Sequence, residues 1–461
     1  MQISLLDAWR NLSIHRKVWA LTLPMILSNI SVPLVGTVDT MIVGHLHSAN
    51  NMASVGIGSS IYVFLVAILN FLRMGTTGFT AQAFGNKDGN RVRQILLQSL
   101  GLALILALLL AIFALPISKI AFTLMQPSPA LYEGASQFFY WRLLGMPAAL
   151  MNFALIGWFL GMQNARIPFY MLLATNILNV LLTLLFILKL NLGITGVAKA
   201  AVIAEWFGLL VGLLFLPKLL QKTVGQWLLK PLRSWQNWKP LIFVNRDIFI
   251  RSLTLNLVFF LVTLQGTRLG GDTVAANMII LNGLLIMSYL LDGFAHAIEA
   301  LTGKAIGEAS PKSLMSVMVI AGGWALLISV GFFIGFLSFG HYFINLISNI
   351  PSVREAAYPL IPYLTLLPLI SVWSYLLDGL FIGATKAKEM RNAMLLAFII
   401  ALPIGFLLLP FKNNGLWLTF LLFMLLRGII MMMMARRIQT QESWIPLPIK
   451  TPIKTTKASP S

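Results

Sequence analysis

Residues 23–46 read LPMILSNISVPLVGTVDTMIVGHL, an apolar run that carries two prolines, Pro24 and Pro33, and one carboxylate, Asp39. Its length suits a helix crossing a hydrocarbon core of ~30 Å. A charged side chain inside a bilayer costs about 3 kcal/mol on insertion scales, so intramembrane acids face a bundle interior or a wet cavity and serve ion paths. Pro24 and Pro33 each remove a backbone donor, which a membrane helix tolerates where neighbours or water satisfy the freed carbonyl. A titratable group on a bendable helix has the makings of a switch. The alternative is that Asp39 only caps the helix end or pairs with a neighbour.

Outward from this stretch the chain keeps the same character. Its 461 residues are 58% hydrophobic and 10% charged, with a mean hydropathy of +0.85. Soluble domains carry about 25% charged residues, so this chain cannot clothe a water-exposed globule and is a polytopic membrane protein. The absence of cysteine excludes disulfides, thiolate metal sites and cysteine nucleophiles. The first 19 residues are basic and amphipathic with no small-residue cleavage site, so the first span is expected to remain as an anchor.

Apolar stretches of membrane-crossing length recur twelve times, near 18–43, 54–83, 95–115, 131–158, 168–188, 194–216, 247–266, 275–303, 314–337, 354–381, 391–410 and 415–435. Basic residues set their direction, because Lys and Arg are retained on the cytoplasmic side. With the N-terminus inside, segments 1–17, 84–94, 159–167, 217–246, 304–313, 382–391 and 436–461 hold 23 of the 33 Lys and Arg. The opposite loops hold Lys119, Lys189, Arg268, Arg354 and Lys412. Both termini are therefore predicted to be cytoplasmic. The net charge of +19 follows from this asymmetry and implies no nucleic-acid partner, since no basic soluble domain is present.

An internal repeat organises the chain. At an offset of 222 residues and without gaps, Gly44, Ala53, Thr80, Gly85, Gly157, Phe159, Gly161, Ala165, Asn191 and Gly193 recur as Gly266, Ala275, Thr302, Gly307, Gly379, Phe381, Gly383, Ala387, Asn413 and Gly415. The fold class predicted is an all-α membrane protein of twelve transmembrane helices in two six-helix bundles. An even number of spans per repeat gives both halves the same orientation, so their pseudo-two-fold axis lies along the membrane normal and a substrate cavity is expected between them. Residues 1–216 form the N-terminal lobe, 217–246 a cytoplasmic linker, 247–437 the C-terminal lobe and 438–461 a cytoplasmic tail.

The ionisable residues are not duplicated. Asp39 aligns with Leu261, Asp292 with Asn70, Glu299 with Thr77 and Asp378 with Ile156. Asp292 and Glu299 stand seven residues apart, two turns along one helix face with His296 between them, and with Asp378 they form a candidate second acid site in the C-terminal lobe. The other reading is a polar seam in which these acids pair with Arg73 or Arg251. His15, His45, His47 and His341 have no metal-ligand spacing. Neither HExxH, GxSxG nor GxxxxGK[ST] occurs, and no long loop is available for a soluble active site, so an enzyme is not expected.

Taken together, the opening LPMILSNISVPLVGTVDTMIVGHL, FLRMGTTGFTAQAFGNKDG closing the second span, GWFLGMQNARIP after the fourth, NRDIFIRSL entering the seventh and LDGLFIGATKAKEMRN around the tenth resemble the multidrug and toxic compound extrusion (MATE) transporters, nearest their DinF-like branch. The resemblance covers essentially the whole chain. It implies two bundles that open alternately to either side and export of cationic or amphipathic compounds driven by H+ or Na+. Asp39 matches the acid whose protonation, by that resemblance, bends the first helix at Pro24 and expels substrate from the N-terminal lobe. In the family's polar cluster the fifth span often carries an Asn followed four residues on by an Asp, and the sixth a Thr; this chain has Asn179, Thr183 and Ala201. An oxygen cage for Na+ needs several ligands, whereas proton coupling needs one titratable group, so H+ antiport is expected and no cofactor. Asn152, Asn176, Asn179, Thr183 and Lys199 are taken as polar lining of the substrate cavity. Lys199 either answers Asp39 as a tethered cation or snorkels to the outer interface. The alternatives are Na+-coupled efflux and a flippase of a lipid-linked substrate, for which Arg73, Arg142, Lys199, Arg251 and Arg427 are candidate cations. A monomer in the inner (plasma) membrane is expected, its partners being small amphipathic or cationic substrates and the lipid bilayer.

Overall fold

The computed structural model describes residues 5–44, 49–441 and 444–445. Among the described residues there is no strand. The long helices are α1 (Leu12–Gly44), α2 (Ala49–Leu69), α3 (Phe71–Gly85), α4 (Gly89–Ile112), α5 (Pro129–Leu143), α6 (Met146–Gly161), α7 (Arg166–Leu184) and α8 (Gly193–Leu220). They continue as α9 (Trp235–Arg268), α10 (Gly271–Gly307), α11 (Pro311–Ile347), α12 (Ile361–Gly383), α13 (Ala387–Leu407) and α14 (Lys412–Gln441). Ten described helical stretches are long and apolar enough to cross a membrane, with α2 and α3 counted as one. The pair α5 and α6, bent by 49°, makes an eleventh, and the 33-residue α1 completes twelve spans.

The repeat is visible in the backbone. Lys87 and Gln163 adopt left-handed φ of 58° and 61°, and their counterparts Ala309 and Thr385 adopt 51° and 55°. Each follows a helix end and lets the next amide reach back. Asp88 N donates to Ala83 O at 3.0 Å and Ser310 N to Ala305 O at 2.9 Å. Asn164 N to Phe159 O and Lys386 N to Phe381 O repeat the closure at 2.9 Å. These bonds satisfy carbonyls that a helix terminus leaves open.

The lobes meet along one half of their length. A Cβ on Gly85 would lie 2.2 Å from Lys304 O, and one on Gly307 would lie 2.1 Å from Gln82 O, so α3 and α10 cross backbone to backbone and only glycine fits. That reciprocity is what a two-fold axis between the helices requires. Gln82 Nε2 donates to Gly383 O and Gln163 Nε2 to Ala300 O, both at 2.8 Å, adding cross-lobe bonds at the same end. Further along, Trp324 Nε1 donates to His15 Nδ1 at 3.0 Å. This leaves Nε2 protonated to bond Trp9 O at 2.6 Å. Asn29 Nδ2 reaches Tyr289 O near mid-helix. One apolar core runs through both lobes and reaches Ala276 and Ile344 at the far end of the C-terminal lobe, while Ile42, Phe138, Ile187, Val197 and Ala198 form a separate cluster toward that end of the N-terminal lobe. The lobes are thus fastened at the end of Gly85 and Gly307.

The connection between lobes is shorter than hydropathy suggests. α8 runs to Leu220 and α9 begins at Trp235, so the residues between 217 and 246 are helical at both ends, with a 3-10 turn over Lys230–Arg233. Hydropathy marks only the part of a helix that needs an apolar surrounding. The polar first turns of α9 continue because they have protein partners: Asn237 O accepts from Gln98 Nε2 at 3.0 Å, and Trp238 Nε1 donates to Leu232 O at 2.8 Å. α14 likewise continues past Arg437 to Gln441.

Candidate functional site

Where the lobes meet, a cavity of about 180 Å³ is lined by Arg73 of α3, Arg251 of α9, Asp292, His296 and Glu299 of α10, Tyr375 and Asp378 of α12, and Arg427 of α14. The i, i+4, i+7 spacing of Asp292, His296 and Glu299 places all three on the inner face of α10. Arg73 Nη1 lies 3.3 Å from Glu299 Oε2, an ion pair between lobes with both side chains buried. Arg251 and Arg427 both donate to Asp378 Oδ2. His296 Nδ1 stands 3.8 Å from Glu299 Oε2. Three arginines thus face three carboxylates. Uncompensated buried ions cost several kcal/mol each, so this matching is a condition for the cavity to exist. Asp292 differs from the other acids: its carboxylate accepts no hydrogen bond among the described residues, and it shares the cavity lining with Arg73, Arg251, His296 and Asp378. Of the two readings open at the level of sequence, the structure brings the acids together into one site and also pairs Glu299 with Arg73 and Asp378 with Arg251.

In the N-terminal lobe, Asp39 is carried by the last third of α1, and its side chain lies outside the described residues. Pro24 sits within continuous helix, where Ser28 Oγ donates to the Pro24 carbonyl at 2.8 Å. Asn176 Nδ2 donates to Ser31 Oγ at 2.9 Å, tying α7 to α1. Asn179 and Thr183 follow one and two turns later on α7, both buried, and Thr183 Oγ1 has no hydrogen-bond partner among the described residues. Lys199 places its ammonium 4.5 Å from the Trp141 ring centroid and makes no ion pair among the described residues. Asn152 belongs to another group, donating from Nδ2 to Glu205 O at 2.9 Å.

That group was missed by the sequence reading. Glu205 of α8 accepts from Arg142 Nη2 at 2.7 Å and from Tyr62 OH at 3.1 Å, while the Arg142 guanidinium lies 3.9 Å from the Tyr62 ring centroid. Glu205 Oε2 occupies the space beside Gly145 that a Cβ would fill, at 2.1 Å. Trp206 Nε1 bonds Leu144 O at 3.1 Å. The two residues of α8 therefore clasp the break between α5 and α6. The signal was present: Glu205 is an acid in the apolar stretch 194–216, the argument that singled out Asp39. At the offset of 222 its counterpart is Arg427, so the paired acid of one lobe is exchanged for a paired base in the other.

Two six-span lobes related by a two-fold axis, fastened at one end over a cavity of matched buried charges, define a membrane transporter of the two-lobed carrier type. Residues 24–185 and 248–407 match the MatE family model, once in each lobe, and the chain belongs to the MATE family. It is 39% identical over 435 residues to DNA damage-inducible protein F of Escherichia coli (strain K12), covering 94% of each chain. It is 24% identical to a probable multidrug resistance protein NorM of Acinetobacter baylyi, over 85% of this chain and 88% of that one. Among solved structures, a MATE protein in the straight conformation superposes with a TM-score of 0.81 at 19% identity, over 95% of this chain and 99% of the other. The fold is that of MATE transporters, and the chain is a transporter rather than an enzyme.

Proposed function

We propose that the chain exports small cationic or amphipathic molecules in exchange for H+ by alternating access of the two lobes, with Asp39 as the proton-binding group and α1 bending at Pro24. The observation that carries the choice of ion is the pairing of two of the cavity's three carboxylates. Asp378 is held by two guanidiniums and Glu299 by one, and a Na+ cage needs several oxygens that are not already neutralised. A proton needs one acid only. The flippase reading wants several free cations for an anionic headgroup; of its five candidates Arg73, Arg142, Arg251 and Arg427 are each engaged with an acid, and Lys199 lies against the Trp141 ring. The fastening of the lobes at the Gly85–Gly307 end, together with the basic loops there, supports a cavity closed toward the cytoplasm.

Proteoliposomes loaded with a cationic dye and given separate pH and Na+ gradients test this. Efflux is expected under the pH gradient without Na+ and is expected to stop with an uncoupler. Asp39→Asn, a fixed mimic of the protonated acid, should insert normally and transport nothing. A strict Na+ requirement would overturn the assignment.

A further inference from the structure

The C-terminal lobe holds a second chamber, of about 390 Å³, open on one side and lined by one face each of α9, α13 and α14. Its position in the repeat gives it meaning. Shifting Asp39, Asn176, Asn179, Thr183 and Ala201 by 222 residues gives Leu261, Phe398, Ala401, Gly405 and Phe423, and all five line this chamber. It is therefore the counterpart of the N-terminal polar site with the acid, both amides and the hydroxyl removed. Where one lobe offers a carboxylate for a cation, the other offers an alkyl-lined space.

The two cations at the mouth of this space are the second observation. Arg268 ends α9 and Lys412 begins α14, and both line the chamber. Positive charge is depleted in the loops on this side, as the basic-residue asymmetry requires. Of the five exceptions, Arg354 is accounted for by its bonds to Ser348 O and Asn345 O at 2.6 and 3.0 Å. The side chains of Arg268 and Lys412 make no ion pair or hydrogen bond among the described residues and are exposed. From Val258 to Arg268 the lining of α9 runs about 15 Å at 1.5 Å per residue, half of a ~30 Å hydrocarbon core. An extended alkyl chain with its head at the two cations matches that length. One turn beyond Phe423, Arg427 is paired with Asp378, and neither lines the chamber, so the tail meets no charged side chain of that pair.

We propose that this chamber binds a single-chain anionic amphiphile, its alkyl chain between α9, α13 and α14 and its acid group between Arg268 and Lys412. This second ligand site goes beyond the cation-export reading and does not depend on it. The test is equilibrium binding of radiolabelled dodecanoate to the full-length protein in phosphatidylcholine nanodiscs. Saturable binding is expected, weakened at least tenfold in the Arg268→Ala/Lys412→Ala double variant and at least tenfold by Leu261→Asp, which restores the repeat's acid. Arg268→Lys should retain binding, which separates loss of charge from misfolding. Dodecyltrimethylammonium, with the same tail and the opposite charge, should bind at least tenfold more weakly than dodecanoate. Asp39→Asn should leave dodecanoate binding intact even if it abolishes transport, so failure here is distinguishable from failure of the coupling assignment. Equal binding of the two detergents, or dodecanoate binding unmoved by the double variant, would overturn the proposal. So would complete exclusion of dodecanoate by phosphatidylglycerol at the same residues, which would make this a phospholipid site.

Discussion

Replacing Glu205 gives the sharpest test of how the N-terminal lobe is held. Its carboxylate accepts from Arg142 at 2.7 Å and from Tyr62 at 3.1 Å, with side-chain exposures of 16% for Glu205 and 11% for Arg142. Glu205→Ala takes its carboxylate partner from a buried guanidinium, a loss of about 3–5 kcal/mol. The cation–π contact with Tyr62 at 3.9 Å is present before and after the substitution and leaves that figure unchanged. Net destabilisation of about 3–5 kcal/mol is expected. Removing both charges in Glu205→Leu/Arg142→Met should restore most of it, because apolar replacement of a buried pair is commonly neutral or stabilising. The assay is a double-mutant cycle of Glu205→Leu, Arg142→Met and their combination by equilibrium unfolding in mixed detergent micelles, with dye efflux measured alongside. A coupling energy under about 0.5 kcal/mol would refute the clasp. Gly145→Ala should also damage it, since the new methyl would collide with the same carboxylate.

Three further outcomes follow from the site. Asp378→Asn should destabilise by about 3–5 kcal/mol in the same unfolding assay, because it sets Arg251 and Arg427 against each other with no anion between them, and adding Arg427→Met should recover much of the loss. Lys199→Ala should cost roughly 0.5–1 kcal/mol from its contact with Trp141 and leave the pH midpoint of ligand release unchanged. An ion pair with Asp39 would instead hold that acid ionised, so its removal would move release to higher pH. A reporter fused after Lys230 should be cytoplasmic and one near Ser128 should lie on the opposite face; the reverse result would invert the basic-residue argument.

What the sequence determined by itself is the periodic and compositional part of the protein. Span length follows from bilayer thickness, so the spans were legible from hydropathy, and the offset of 222 predicted a duplication that the left-handed turns at Lys87 and Ala309 bear out. The acids Asp39, Asp292, Glu299 and Asp378 were legible because charge is rare in an apolar run. Tertiary structure decided who meets whom. Arg73 and Glu299 are 226 residues apart and Arg142 and Glu205 are 63 apart, and no local pattern encodes such pairs. Glu205 was passed over because its worth lies in a partner on another helix and in the missing side chain of Gly145. The apolar chamber was invisible for a related reason: leucine, alanine and phenylalanine read alike whether they face lipid, core or an empty space, and only the packing of α9, α13 and α14 distinguishes them.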